Sequence, residues 1–376
     1  MLSYARPPHR NSDNRNCGVY DSTMKPLSRS LLTVMLLTLT SCVSAQPTQT
    51  PTPVPVWAPP RRCANDETEN GQAKWWHIFT YDLMTGQSFQ LTDGQVYDSS
   101  PTFSPDGKRL AFVRDDSTIQ VMDVSTREIK PLIEREGHIS ELRWSPDGEH
   151  LAFVADWTNI PKIHIMNTDG TGSKQLTERE VGEYSPHWSP NGKQIAFIST
   201  SSRPSGMSTI YTATVASKPA IAEILTRWCD DPTSNRPCES FYSLAWSPDG
   251  RMLAVVTQSH GWSSVPPPTG HPPIITDQEG TGLLTLNIAE TMKQPRLVSW
   301  NVLSGFHSIS WSPDGNNLLY YFGCACGFEN ISLVEIATGE TTVLISGHEE
   351  TGHVVAEPAW SPDGTRVVYS QAYCSW

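Results

Sequence analysis

Apolar and polar positions along the chain alternate between short hydrophobic runs and polar turns, and six of the runs share the same leader. "KRLAFV", "EHLAFV", "KQIAFI", "RMLAVV", "NNLLYY" and "TRVVYS" each follow an aromatic residue and Ser-Pro-Asp-Gly or a near copy of it. Each run is apolar on both faces, as expected of a strand sandwiched between neighbouring sheets rather than one with a face in water. The leaders begin at Phe103, Trp144, Trp188, Trp246, Trp311 and Trp360, and only the third departs, with Asn191 in place of Asp. Their spacings are 41, 44, 58, 65 and 49 residues, so the repeating unit is that of a propeller blade with insertions.

Turn chemistry explains the leader. Ser, Pro and Gly suit the first, second and fourth positions of a type I turn, and a left-handed Gly can close the hairpin as a bulge. The aromatic residue ends one strand and the apolar run is the next. The first unit then continues with a strand over 118–124 and another over 128–133, giving four antiparallel strands. Third strands of the same kind follow the next four leaders: "KIHIMN", "TIYTATV", "LLTLNI" and "ISLVEI". The sixth leader has no such continuation. Ahead of the first leader, however, "WWHIFTYDLMTGQSFQLTDG" reads as a third and fourth strand with no partners before them. The pattern predicts an all-β, six-bladed β-propeller of four-stranded antiparallel blades, closed two strands plus two by the N- and C-terminal strands. Such closure leaves no exposed sheet edge.

Repeated aromatic-Ser-Pro-Asp-Gly before an apolar strand resembles the WD40-like repeat of the TolB-type β-propellers. The same repeat forms the non-catalytic domain of some prolyl-oligopeptidase-like and tricorn-like peptidases. The resemblance runs from about Trp75 to Trp376 and implies a propeller serving binding, scaffolding or substrate gating. Fold alone constrains function weakly.

The first seventy residues follow a different pattern. Lys25 and Arg29 precede "LLTVMLLTLT", which is too short for an ordinary membrane span and ends in Leu39-Thr40-Ser41-Cys42. This resembles a lipoprotein signal with its lipobox, which would make Cys42 the lipidated first residue of the mature protein. An ordinary secretory signal cut near Ala45 is the alternative. Counting from Met24 gives an 18-residue signal, so Met24 is a second candidate start. Residues 1–41 are therefore assigned to the signal, 42–70 to a Pro/Thr-rich tether without a packed core, and 71–376 to the propeller.

Removing the signal sharpens the charge. The chain has 27 basic and 39 acidic residues, of which residues 1–41 hold five and two. The remaining 22 and 37 give a mature net charge of −15. An acidic surface disfavours nucleic acid and broad contact with anionic lipid heads. Lipid on Cys42 would then be the only link to the membrane, and stable anchoring takes more than one acyl chain.

Six cysteines remain besides Cys17 and Cys42, an even number that in an exported domain points to disulfides. Cys63 and Cys374 lie at the ends that would meet in the last blade. Cys229 and Cys238 flank one loop. Cys324 and Cys326 form Cys-Ala-Cys, where a direct bond would be strained; reduction, pairing elsewhere and metal binding stay open.

Insertions concentrate in two kinds of connection, those joining the second strand to the third and those joining one blade to the next: 200–208, 226–240, 258–282 and 323–330. Both kinds emerge on one face of a ring, and loops on a rigid scaffold tend to carry function. The longest, "SHGWSSVPPPTGHPPIITDQEGTG", offers His260, Trp262 and His271 among prolines, and Trp is typical of interaction hot spots. Asp98 and Glu183, each five residues before a leader aromatic, are further candidates for the same mouth, for a cation or a basic peptide end.

Catalytic signatures are sparse. The sequence has no Gly-x-Ser-x-Gly elbow, no phosphate-cradling Gly loop and no His-Glu-x-x-His. His348 and His353 are five apart in a loop and lack helical presentation. No catalytic residue, metal ligand set or cofactor is assigned, although a divalent ion in the channel stays open. The favoured reading is an exported, lipid-anchored, monomeric propeller, facing periplasm or cell exterior, that binds a protein or an envelope component. The alternatives are a metal-dependent hydrolase or lyase using the central channel, or a sensor of a soluble ligand.

Lipidation makes a direct prediction. A Cys42→Ala variant from which the signal has been removed should move from the membrane to the soluble fraction on cell fractionation; persistent membrane association would refute the anchor.

Overall fold

The computed structural model describes residues 68–69, 72–73, 75–200, 208–216, 218–226, 240–259, 280–288, 296–301, 306–323, 329–347 and 353–373. The chain divides into two compact units at residue 57, and the first lies wholly outside the described residues. The second holds six four-stranded antiparallel sheets and a short hairpin, Thr68–Glu69 with Gln72–Ala73. Among the described residues no helix is long and apolar enough to cross a membrane.

The architecture is a six-bladed propeller. Blade one comprises Asp98–Phe103, Arg109–Arg114, Thr118–Asp123 and Ile129–Glu134, in that order across the sheet. Blades two to five follow the same order, starting from innermost strands Ile139–Trp144, Glu183–Trp188, Ser240–Trp246 and Phe306–Trp311. Blade six takes its inner strands, His353–Trp360 and Arg366–Tyr373, from one end of the sequence and its outer strands, Trp76–Asp82 and Gln87–Gln90, from the other. Arg366 to Ala372 pair antiparallel with Asp82 to Trp76. Each innermost strand touches the innermost strand of the next blade, including that of blade six against blade one.

The core sits between blades. Six clusters of buried side chains fill six interfaces, for example Val113, Ile139, Leu142, Trp144 and Phe153 between blades one and two, and Ile78, Val368, Phe103 and Leu110 between six and one. Second strands are buried on both faces, whereas outermost strands such as Ile129–Glu134 have no fully buried residue. Each large side chain buried this way is worth about 1.5–3 kcal/mol.

The leader motif also links the blades. Within blade one's turn, Ser104 Oγ donates to Asp106 Oδ1 (2.6 Å) and accepts from Arg109 N (2.9 Å), while Gly107 N reaches Ser104 O (2.8 Å) at a φ of 69°. The turn's proline lies beside the glycine of the next blade's turn. Pro105 meets Gly148, Pro146 meets Gly192, and the series closes with Pro362 beside Gly107.

Tryptophan at the leader position adds a hydrogen bond that phenylalanine lacks. Trp144 Nε1 donates to Thr102 O (3.1 Å), Trp188 Nε1 to Arg143 O (3.3 Å), Trp311 Nε1 to Ala245 O (3.0 Å) and Trp360 Nε1 to Ser310 O (3.1 Å). Each acceptor is the residue just before the aromatic of the preceding blade. Trp246 Nε1 is the exception, buried with no partner. Trp311→Phe should therefore lower the unfolding free energy by about 1–2 kcal/mol, since it strands the Ala245 carbonyl. Trp246→Phe should cost clearly less, and urea unfolding of the two variants side by side tests the difference.

Candidate functional site

The innermost strands line the channel, and in blades two and six their burial follows one rule counted back from the leader aromatic. In blade two Ile139, Leu142 and Trp144 are buried, while Ser140, Glu141 and Arg143 are half-buried. Blade six repeats the pattern: Val355 and Pro358 are buried, and Ala356, Glu357 and Ala359 are half-buried. In these two blades positions four, three and one before the aromatic thus face the channel, whereas Ser99, Ser100 and Thr102 of blade one and Ser243 and Ala245 of blade four are buried. A regular strand alternates and would not place two consecutive residues on one side.

A bulge permits it. Ser100, Glu141, Ser185 and Glu357, all three residues before an aromatic, have φ of 51°, 54°, 53° and 52°. The pairing of first and second strand slips at this point in every blade. A left-handed non-glycine residue costs on the order of 1–2 kcal/mol, so these residues need support.

Support comes from the neighbouring blade. Glu357 Oε2 accepts from Ser100 N (2.5 Å), Ser100 Oγ accepts from Glu141 N (3.0 Å), Glu141 Oε2 accepts from Ser185 N, and Ser185 Oγ accepts from Leu244 N (3.0 Å). A chain of side-chain-to-backbone bonds therefore runs from blade six through one, two and three to four. The column is polar in all six blades, completed by Ser243 and Ser308. Charged acceptors make the stronger bonds of this kind.

Arg143 and His187 stand one residue before the aromatics of adjacent blades. Arg143 is half-buried, and burial in the channel lowers its pKa against the opposing pull of Glu141 and Glu357. His187 is pushed down to about 3, by burial first and by the Arg143 charge second. Burial raises the Glu141 carboxyl, opposed by the Ser185 N–H and by Arg143. Tyr184 is half-buried and Tyr242 is 42 % exposed, both at the fourth position before the aromatic.

The residues singled out from sequence fare differently. Asp98 is completely buried and takes a two-pronged bond from Arg114, Nε to Oδ1 at 2.8 Å and Nη2 to Oδ2 at 2.9 Å. Glu183 is also completely buried, accepting from the Thr177 hydroxyl near the Lys162 charge, with its own pKa raised chiefly by burial. The two carboxylates are not brought together; Asp98 is held within blade one, whereas Glu183 of blade three is held by Thr177 and the Lys162 charge from the preceding blade's side. His260, Trp262 and His271 lie outside the described residues, as do Cys42, Cys63, Cys229, Cys238, Cys324, Cys326 and Cys374. Among the described residues Asp147, Glu149 and His150 bring three ligand atoms within 4.8 Å of one another on the surface, but Asp147 already accepts from Ser145 Oγ (2.5 Å) and Glu149 N (2.9 Å).

Sequence reasoning passed over Glu141, Glu357, Arg143 and His187. Aligning the six leaders on their aromatic residues exposes the polar column three places earlier, which is the signal that finds them.

Comparison with known proteins places this arrangement. The family model for the TolB beta propeller domain matches residues 66–265, more than half of the chain. The chain belongs to that family. A search of curated proteins gives no match. Among solved structures, one from Agrobacterium tumefaciens assigned as TolB aligns at a TM-score of 0.60 and 15% identity, covering 80% of this chain and 99% of the other. TolB from Acinetobacter baumannii aligns at 0.53 and 19%, covering 76% and 66%. An oligogalacturonate lyase in complex with manganese aligns at 0.51 and 15%, covering 79% and 83%. These likenesses are of fold.

The buried imidazole gives the TolB-like domain a pH dependence. His187 has a folded pKa below its unfolded value of 6.5, so its contribution to stability is complete above pH 6.5 and is lost as pH falls from 6.5 towards 3. His164, lowered to about 4 by burial and Arg135, acts in the same direction. His187→Asn keeps an oxygen where Nδ1 accepts from Trp246 N, and should flatten the decline of unfolding free energy between pH 6.5 and 4. Denaturant titrations across that range measure it; an unchanged slope would count against the assignment.

Proposed function

We propose that this TolB-family propeller is a non-catalytic scaffold, exported and lipid-anchored through Cys42, that binds a protein or cell-envelope component outside the cytoplasm. Residues 1–41 are its signal, 42–70 its tether and 71–376 its binding domain, acting as a monomer. A Cys63–Cys374 bond would lock the blade built from both ends of the sequence, and Cys229–Cys238 would staple a loop.

One observation carries the reading. The six leader turns keep one length and the other turns at that end vary modestly, whereas the connections at the opposite end hold the long insertions. Uniform turns are occupied with packing blade on blade; the irregular loops are free to be shaped by a partner. Tyr184 and Tyr242, near the starts of adjacent inner strands, add aromatic area at that end. Asp98 and Glu183, anchored at the start of inner strands, then act as rigid supports for that mouth rather than as free ligands.

The test is crosslinking and affinity recovery from native envelopes with the wild-type chain and with Trp262→Ala. The variant should lose most of the recovered partner while retaining the wild-type unfolding transition. Undiminished recovery would sink the assignment of this loop.

A further inference from the structure

Arg143 and His187 present hydrogen-bond donors to the channel that the fold itself does not use. The Arg143 guanidinium makes one hydrogen bond, Nη1 to the carbonyl of its own neighbour Leu142 (2.8 Å). Among the described residues it enters no ion pair. Its Nε and Nη2 donors are left to solvent in the channel. His187 Nδ1 lies 3.2 Å from the backbone nitrogen of Trp246 and 3.2 Å from the Trp188 carbonyl oxygen. A backbone N–H only donates, so Nδ1 is the acceptor and the proton of the neutral ring sits on Nε2. Among the described residues nothing accepts that Nε2–H.

The two side chains occupy equivalent positions on adjacent inner strands. Trp188 of one blade is tied to the Arg143 carbonyl of the other (3.3 Å), and the Arg143 charge is felt by the His187 ring. A forked guanidinium beside a fixed N–H donor matches the two oxygens of a carboxylate. Glu141 stands two positions from Arg143 on the same strand, and Glu357 holds the equivalent place on blade six, where its charge is felt by Arg143. A bare anion would be repelled by both. A molecule carrying an ammonium group at its other end would instead gain from them.

We propose that the channel holds a site for a small zwitterion, its carboxylate on Arg143 and His187 and its ammonium group facing Glu141 and Glu357. Two residues of strand span about 6–7 Å, which suits charges separated as in a dipeptide better than those of an α-amino acid. Tyr184, beside Glu141, forms one wall of the site and senses that carboxylate. The site goes beyond the scaffold reading and does not depend on it, because it involves neither the long loops nor Trp262.

Calorimetric titration of the purified full-length chain with glycylglycine tests the proposal, with N-acetylglycine as the probe lacking the ammonium group. Saturable glycylglycine binding is expected, with N-acetylglycine weaker by about tenfold or more, the value of one charge-assisted contact. Arg143→Gln should weaken glycylglycine by at least about the same factor. Arg143→Lys, which keeps the charge without the fork, should weaken it less and covers the case in which the glutamine variant does not fold. Glu141→Gln retains an acceptor for Ser185 N and should erase the preference between the two probes. Absence of saturable glycylglycine binding, equal affinity for N-acetylglycine, or binding undiminished in both Arg143 variants would overturn it. Loss of partner recovery in Trp262→Ala with this binding intact would separate the two assignments.

Discussion

Every blade of this propeller has two apolar faces and no means of covering either. The constraint on which the rest depends is therefore the contact between one blade and the next, repeated until it returns to its start. Three features of the repeat serve that contact at three radii or heights. Apolar second strands fill the interface, the leader tryptophan hydrogen-bonds to the preceding inner strand, and the turn proline rests beside the following glycine. The most conspicuous residues of the sequence are thus spent on closing a ring, and the indole bond is missing in blade one, where the leader is Phe103, and in blade four, where Trp246 Nε1 has no partner among the described residues.

Close approach of the inner strands creates a second constraint with chemical consequences. Strands converging on an axis leave little room for side chains, and a left-handed residue three before the aromatic kinks the inner strands of blades one, two, three and six at the same height. The kink turns two consecutive side chains toward the channel and leaves a backbone N–H needing an acceptor. Ser or Glu from the neighbouring blade supplies it. Glu141 and Glu357 are in the channel because the scaffold needs acceptors there, and their charge is a by-product that sets the field in which Arg143 and His187 sit.

Much of this was legible in the sequence. Blade number, the four-strand unit and the role of Ser-Pro-Asp-Gly follow from periodicity and turn chemistry, because strand patterns and turn residues are local properties. The channel was less legible for a physical reason. Asp98 and Glu183 draw the eye as carboxylates at a fixed distance from the motif, yet their partners, Arg114 and Thr177, are set by pairing across a sheet and by a turn, neither of which spacing reveals. The bulge column was hidden for the opposite reason. Its residues are serines in four blades, and a lone serine in a strand carries no signal until six strands are superimposed.

The two ends of the channel consequently answer to different pressures. At the leader end, turn length, proline and glycine are all fixed by contact with the next blade, so variation there would open the ring. At the other end the connections differ in length from blade to blade, so no single contact fixes them. Side chains one residue before the aromatic lie between these regimes. Four of their carbonyls, those of Thr102, Arg143, Ala245 and Ser310, are bound through the next blade's tryptophan indole, and their side chains range from Ala245, packed in the core between blades four and five, to Arg143, half-buried in the channel. Thr102, Arg143, His187, Ala245, Ser310 and Ala359 accordingly share one place in the repeat and no common chemistry. A position held rigid by its backbone and released at its side chain is where a repeat protein can acquire a site without disturbing its fold, and in this chain the charged and imidazole members of that row fall on adjacent blades.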